Sequence, residues 1–156
     1  MLRACILLIA LAACGGEPAP EAVIDNAPPD IATATFADEL EVDIAASQRN
    51  DAGLYWRDLD PGTGPVVQRG QVVFVAYDGR LPDGTRFDAT GPDDPFSFPV
   101  GAGHVIAGWD QGIVGMRVGG KRQLIIPASL GYGPRGAGPI PPGGVMVFTV
   151  EVLDVR

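Results

Sequence analysis

Glycine and proline dominate what this chain can fold into: 22 glycines and 15 prolines punctuate 156 residues. Proline breaks helix interiors and central strands, and glycine weakens both, so the chain is expected to form many turns and short strands, with little long helix. One window carries a helical pattern. Between residues 103 and 116, Ile106, Trp109, Ile113 and Met116 recur at helical spacing, with glycines on either side. Elsewhere the pattern is that of strands. Residues 54–59 read as one, closed by the turn Asp60-Pro61-Gly62. Residues 72–78 read as another, with Val73, Val75 and Tyr77 on one face and Val72, Phe74 and Ala76 on the other. The tight turn Leu81-Pro82-Asp83-Gly84-Thr85 leads into Arg86-Phe87-Asp88, and a Gly/Pro/Asp loop covers 90–95. Strands are expected at 96–100, at 121–126 and, after a long Gly/Pro loop over 130–144, at 145–155. In that last strand Met146, Phe148, Val150 and Val152 share one face. The sum is an α+β domain over residues 53–156, a mostly antiparallel sheet with one short helix.

The formal net charge of −8 argues against nucleic acid as a partner, because phosphate recognition needs a basic face. The charge is uneven. Residues 15–51 hold nine acids against one base, Arg49, whereas residues 52–156 hold ten acids and nine bases. The acidity therefore belongs to the N-terminal stretch, which is expected to be solvated.

That stretch begins with Met1-Leu2-Arg3 and an apolar run of eight residues over 6–13, far short of the ~20 needed to span a bilayer. It suits the apolar part of a signal peptide, residues 1–13. The run ends Leu11-Ala12-Ala13-Cys14, which resembles the bacterial lipobox: a branched apolar residue, two small residues and a cysteine. The resemblance implies lipidation of the Cys14 thiol and cleavage just before it; several acyl chains on one residue give stable membrane anchoring. The only other cysteine, Cys5, lies inside the signal, so the mature chain would keep no thiol for catalysis, metal ligation or redox exchange. Residues 14–35, rich in Gly, Pro, Ala and acids, are expected to form a flexible tether. Over 36–44 two readings stand: Phe36, Leu40 and Ile44 fit a helical face, and Leu40, Val42 and Ile44 fit a strand face. Residues 36–52 are expected as a short ordered extension packing on the domain.

Residues 53–156 resemble a domain of the FKBP-type peptidyl-prolyl cis–trans isomerases from end to end. The matching blocks are Arg69-Gly70-Gln71, Leu81-Pro82-Asp83-Gly84-Thr85-Arg86-Phe87-Asp88, Pro95-Phe96-Ser97-Phe98 and Val105-Ile106-Ala107-Gly108-Trp109-Asp110-Gln111-Gly112. Then follow Met116-Arg117-Val118-Gly119-Gly120-Lys121-Arg122, Leu130-Gly131-Tyr132-Gly133, Ile140-Pro141-Pro142 and Val147-Phe148. The resemblance implies a bent antiparallel β-sheet wrapped around one short α-helix, and a site between them. The matched site residues are Tyr77, Asp88, Trp109 and Tyr132, with Phe87, Phe96, Val105, Ile106, Ile140 and Phe148 as substrate-binding walls. Trp109 would form the floor under the substrate proline. Tyr132 and the Ile106 backbone N–H would bind the carbonyls flanking the isomerising bond. Asp88 would hydrogen-bond internally with Tyr77, shaping the site rather than acting as acid or base. No cofactor and no metal is implied; the partners implied are proline-containing polypeptides and macrolide inhibitors of the family.

The chemistry suits these residue types. Amide rotation meets a barrier of ~18–20 kcal/mol because of C–N double-bond character. The twisted transition state loses resonance and polarity, so a dry aromatic pocket favours it over the planar amide. No nucleophile is required. His104, the only histidine, lacks a motif that would supply a nucleophile and an orienting acid, and is expected at the rim before the helix. Asp93-Asp94 read as solvated loop acids. Gly101-Ala102-Gly103 lacks the strand–helix context of a nucleotide loop.

Against well-known single-domain members, the loop from Asp88 to Phe96 is one residue shorter and lacks basic residues, and the loop over 133–139 is about one residue shorter and carries Arg135. Sequence preference and inhibitor affinity are expected to differ accordingly. Two other functions remain open: a binding module for proline segments without turnover, and a general chaperone. The chaperone reading has little room, since Phe87 to Trp109 spans only 23 residues and holds no inserted domain. Envelope relatives that dimerise do so through a long N-terminal helical region; the segment from Cys14 to Gly53 is too short and proline-rich for one, and a monomer is expected. Gly15 after the lipidated cysteine is compatible with outer-membrane sorting in a Gram-negative cell.

Overall fold

A computed structural model describes residues 31–156. The signal, Cys14 and the tether up to residue 30 lie outside the described residues. The strands are β1 (Gln48–Arg49), β2 (Tyr55–Asp60), β3 (Val72–Arg80), β4 (Arg86–Thr90), β5 (Phe96–Pro99), β6 (Lys121–Ile126) and β7 (Met146–Val155); the helix α1 spans Ala107–Gly112. The sheet runs β1-β2-β6-β7-β3-β4, with β5 pairing the first half of β3, and every pairing is antiparallel. The expected α+β architecture, one short helix on an antiparallel sheet, is the one observed.

Alternation on β3 and β7 divides the sheet into two apolar faces. Val73, Val75, Phe148, Val150 and Val152 pack with Trp109, Ile113, Met116, Leu124 and Ile126 around α1. Two glycines let the helix approach the sheet. A Cβ on Gly108 would lie 2.6 Å from Ile126 Cγ2, and one on Gly112 2.7 Å from Leu124 Cδ2. The buried Arg122 fastens the end of the helix: its guanidinium pairs with Asp58 at 2.6 and 3.0 Å and donates to the Gly112 carbonyl at 2.8 Å.

The helix is shorter than its apolar pattern, occupying six of the residues between 103 and 116. Gly103 (φ +72°) and Gly115 (φ +84°) hold left-handed conformations at either side. Beyond the helix the chain is drawn into a partnership with residue 67: Val67 N–H donates to Met116 O at 2.8 Å, and Gly115 N–H to Val67 O at 3.0 Å. Ile113 and Met116 are buried all the same, so the helical spacing marks the buried side correctly but not the helix ends.

The opposite face of the sheet is covered by the N-terminal extension. Ile31, Leu40, Tyr55, Ile125, Val145 and Val147 form a second buried cluster, joined by Phe36, Val42 and Ile44. Neither a continuous helix nor a strand runs through 36–44; a single 3-10 turn over Asp38–Leu40 is present instead. Ile31 is only 2% exposed. Packing thus begins inside the segment that its composition marks as tether, because one large apolar side chain there finds the apolar row that Val145, Val147 and Ile125 leave open.

Candidate active site

One cavity of about 480 Å³ opens between α1, β3, β4, β5 and the loop before β7. It is lined by Tyr77, Phe87, Asp88, Phe96, His104, Val105, Ile106, Trp109, Tyr132 and Phe148. Nine of the ten positions carried over from the family resemblance therefore converge. The tenth, Ile140, is buried in the core cluster around α1 and does not line this cavity. His104, expected at the rim, is exposed and contributes to the wall.

Trp109 forms the base. Its ring meets Tyr77 edge-on at 4.9 Å, Phe148 edge-on at 5.3 Å and Phe98 at 5.6 Å between centroids. Phe87 meets Phe148 edge-on at 5.4 Å. Such edge-to-face pairs are worth about 0.5–1.5 kcal/mol each beyond burial, so the floor is held rigid by its neighbours. Gly79 on β3 makes space for two of these rings. A Cβ there would lie 2.7 Å from Phe148 Cε1 and 3.0 Å from Phe87.

Polar groups are few. The Tyr77 hydroxyl donates to Asp88 Oδ2 at 2.6 Å across the β3–β4 pair. Burial, then this bond and the Asp88 charge, then Tyr132, push the Tyr77 phenol well above its ordinary range, so it stays a donor at neutral pH. The Asp88 carboxylate is thereby engaged by Tyr77, and although His104 lines the same cavity, no hydrogen bond joins it to Asp88 among the described residues, so no triad is assembled. Two donors are free. Among the described residues neither the Tyr132 hydroxyl nor the Ile106 N–H has a hydrogen-bond partner. Tyr132 is 44% exposed, in the turn between two 3-10 segments.

The loop presenting Ile106 is positioned by a residue that the sequence reading leaves without a role. Asp110, buried on the first turn of α1, accepts the N–H groups of Gly101 and Gly103, each at 2.8 Å. The available signal is an acid on a helix that closely follows a Gly-X-Gly turn.

A second cavity of about 440 Å³ lies on the other side of the sheet, lined by Glu39, Leu40, Glu41, Arg57, Leu59, Asp78, Arg80, Gln123, Val147 and Thr149. It contains no aromatic ring and five charged side chains, so it cannot offer a dry, low-polarity surface. The aromatic cavity is the candidate site.

Comparison with known proteins identifies the family. The family model for the FKBP-type peptidyl-prolyl cis-trans isomerase matches residues 64–153. The FK506-binding protein of Streptomyces anulatus is 47% identical over 119 residues, which cover 74% of this chain and 95% of that protein. The peptidyl-prolyl cis-trans isomerase FKBP2 of Homo sapiens is 52% identical over 95 residues, 59% of this chain and 67% of the relative. FK506-binding protein 4 of Gibberella zeae is 46% identical over 104 residues, 67% of this chain, but this match spans only 21% of that longer protein. Among solved structures, AtFKBP13 superimposes with a TM-score of 0.66 at 38% identity, covering 70% of this chain and 98% of its own. FkpA from Escherichia coli gives 0.65 at 37% identity, covering 71% of this chain and 52% of its own. With the family model matched over residues 64–153 and a relative 47% identical over 95% of its length, the chain belongs to the FKBP-type peptidyl-prolyl cis-trans isomerases.

Proposed function

We propose that the chain accelerates cis–trans rotation of X–Pro bonds in polypeptides, as a folding catalyst that uses neither cofactor nor charged catalyst. One observation carries this reading: a single cavity with a Trp109 floor and aromatic walls, bordered by two unpaired donors, the Ile106 N–H and the Tyr132 hydroxyl. The proline ring would lie on the indole while the flanking carbonyls accept from those donors. Water is excluded from the rotating amide, and its less polar twisted state gains relative to the planar one. Macrolides that mimic a prolyl amide would compete for the same floor. A non-catalytic binding module would instead bind a proline peptide without speeding its exchange, so cis–trans exchange of a proline tetrapeptide is the deciding measurement.

The lipobox-like Leu11-Ala12-Ala13-Cys14 supports a second part of the proposal. The chain is a lipoprotein of the bacterial cell envelope, anchored through Cys14 and facing the periplasm, on the outer membrane where the cell has one. The tether of acids and prolines would then hold a monomeric isomerase domain within reach of newly translocated clients. Expressed in a Gram-negative host, the wild-type chain should partition into detergent and carry a diacylglycerol-modified N-terminal cysteine by mass spectrometry. Cys14→Ser should remain in the aqueous phase and scatter light as one chain's mass. Detergent partition unchanged by Cys14→Ser would contradict the anchor, and a dimer the monomer.

A further inference from the structure

The aromatic pocket is built partly on the hairpin formed by β3 and β4, which delivers Phe87 and Asp88. That hairpin is an edge of the sheet. β4 pairs only with β3, and the register slips between Gly79 and Arg80 just before the turn. Such an edge is held from one side alone. On the face away from the pocket, however, the N-terminal extension reaches it.

The contacts are specific. The Ala37 N–H donates to the Pro82 carbonyl in the hairpin turn at 2.8 Å. The Arg80 guanidinium donates to Glu39 Oε1 at 3.3 Å and to the Gly84 carbonyl at 3.2 Å, closing the turn onto the extension. The Glu39 carboxylate also lies against Gly84, where no Cβ would fit beside it and where φ is +87°. Arg80 and Arg86 both bind Asp78, the latter at 2.7 Å. Burial pushes the Asp78 carboxyl up, but the hydrogen bonds from Arg86 and Arg80 outweigh it and hold it below its ordinary value. The extension is in turn fixed to the centre of the sheet, where the nearly fully buried Gln123 donates to the Leu40 carbonyl at 2.7 Å. Between these bonds lies the polar cavity of about 440 Å³, so near the hairpin the extension grips by hydrogen bonds and charge rather than by close packing.

We infer that residues 37–40 are a positioning strap for the active site: Ala37 and Glu39, acting through Pro82, Gly84 and Arg80, hold the β3–β4 hairpin so that Phe87 and Asp88 stay seated in the pocket. The inference deepens the isomerase reading and rests on it. The strap touches no substrate. Its effect is on the geometry of two pocket walls, and therefore on stabilisation of the twisted amide more than on peptide binding.

The test uses the full chain. Glu39→Ala removes the Arg80 partner, and Glu39→Gln keeps an acceptor oxygen at the same place. Ala37→Pro suits the φ of −63° at this position but replaces the N–H by the ring Cδ, so the bond to Pro82 is lost and its carbonyl must move aside. Asp43→Ala serves as control. Asp43 accepts the Ala46 N–H and lies 3.9 Å from Arg57, so its loss loosens the extension without touching the hairpin. Glu39→Ala and Ala37→Pro are expected to lower kcat for a proline tetrapeptide by about three- to tenfold with KM within about twofold, and Glu39→Gln to restore most of the loss. Asp43→Ala should leave kcat unchanged. Amide hydrogen exchange should quicken at residues 84–90 in the first two variants, while β6 and β7 keep their protection. Unchanged kcat and exchange in both strap variants of an active enzyme would overturn the strap. An equal loss of kcat in Asp43→Ala would do the same, by showing a general effect of stability. Inactivity of the wild-type chain would instead remove the isomerase reading, and the exchange pattern would still report whether the strap holds the hairpin.

Discussion

Trp109→Leu is expected to lower kcat/KM for X–Pro isomerisation by about ten- to a hundredfold, which corresponds to ~1.4–2.7 kcal/mol of lost transition-state stabilisation. Trp109 is the floor of the cavity, only 4% exposed, with its ring against Tyr77, Phe96, Phe98 and Phe148. Leucine keeps an apolar surface but not a flat one, so a proline ring would lose its seat and the neighbouring rings would sag inward. Stability should fall as well. Truncating a buried Trp to Ala costs about 3–5 kcal/mol, and leucine retains part of the volume, giving about 2–3 kcal/mol. The lower end is favoured because the Trp109 Nε1–H is buried without an acceptor among the described residues, and its removal relieves that penalty. Urea denaturation measures the second effect and peptide exchange the first. A stability loss with unchanged kcat/KM would show that Trp109 is core and not floor.

Asp110→Ala should damage stability and catalysis together. Its carboxylate accepts two backbone N–H groups at 2.8 Å each, from Gly101 and Gly103, and the residue is buried. Hydrogen bonds to a charged group contribute about 1.5–3 kcal/mol, and both donors would be left unpaired. A loss of about 2–4 kcal/mol is expected, allowing for some solvation of the freed loop. The loop then carries His104, Val105 and Ile106 out of register with the floor, and kcat/KM should fall by about tenfold or more. Asp110→Asn offers one acceptor oxygen and turns an NH₂ towards the other N–H, so its losses should be intermediate. Thermal unfolding and peptide exchange on the same samples check both. If Asp110→Ala unfolds with an unaltered midpoint, the loop is not held by this carboxylate.

Residues whose neighbours are close in the chain, or that carry strong periodicity, are legible in the sequence alone. Val73 and Val75 on β3, and Met146, Phe148, Val150 and Val152 on β7, alternate strictly, and the alternation shows which face is buried. The family resemblance brings Tyr77, Phe87, Phe96, Trp109 and Tyr132 to one place, although no spacing rule predicts their convergence. Ile140 lies in the core cluster around α1 and outside the set of cavity-lining side chains, and a branched apolar residue after a Gly/Pro loop suits a core and a cavity lining equally well. The apolar pattern overruns the helix ends because Ile113 and Met116 are buried for reasons other than helicity: the chain beyond Gly112 pairs with Val67. The strap is the least legible. Its hold comes from Pro82, Arg80 and Gln123, which lie some forty to eighty residues away and leave no periodic trace in 36–44.

The central claim is that an aromatic cavity, with no nucleophile, turns X–Pro bonds over. Magnetisation-transfer NMR on a proline tetrapeptide, with catalytic amounts of the wild-type chain, tests it most directly. Uncatalysed exchange takes ~10–100 s at room temperature. Exchange accelerated by about a hundredfold or more, with peptide-induced shifts at Trp109 and Ile106, is the expected result. The same shifts with exchange no faster than in the peptide alone would contradict it, and leave a pocket that holds proline without turning it.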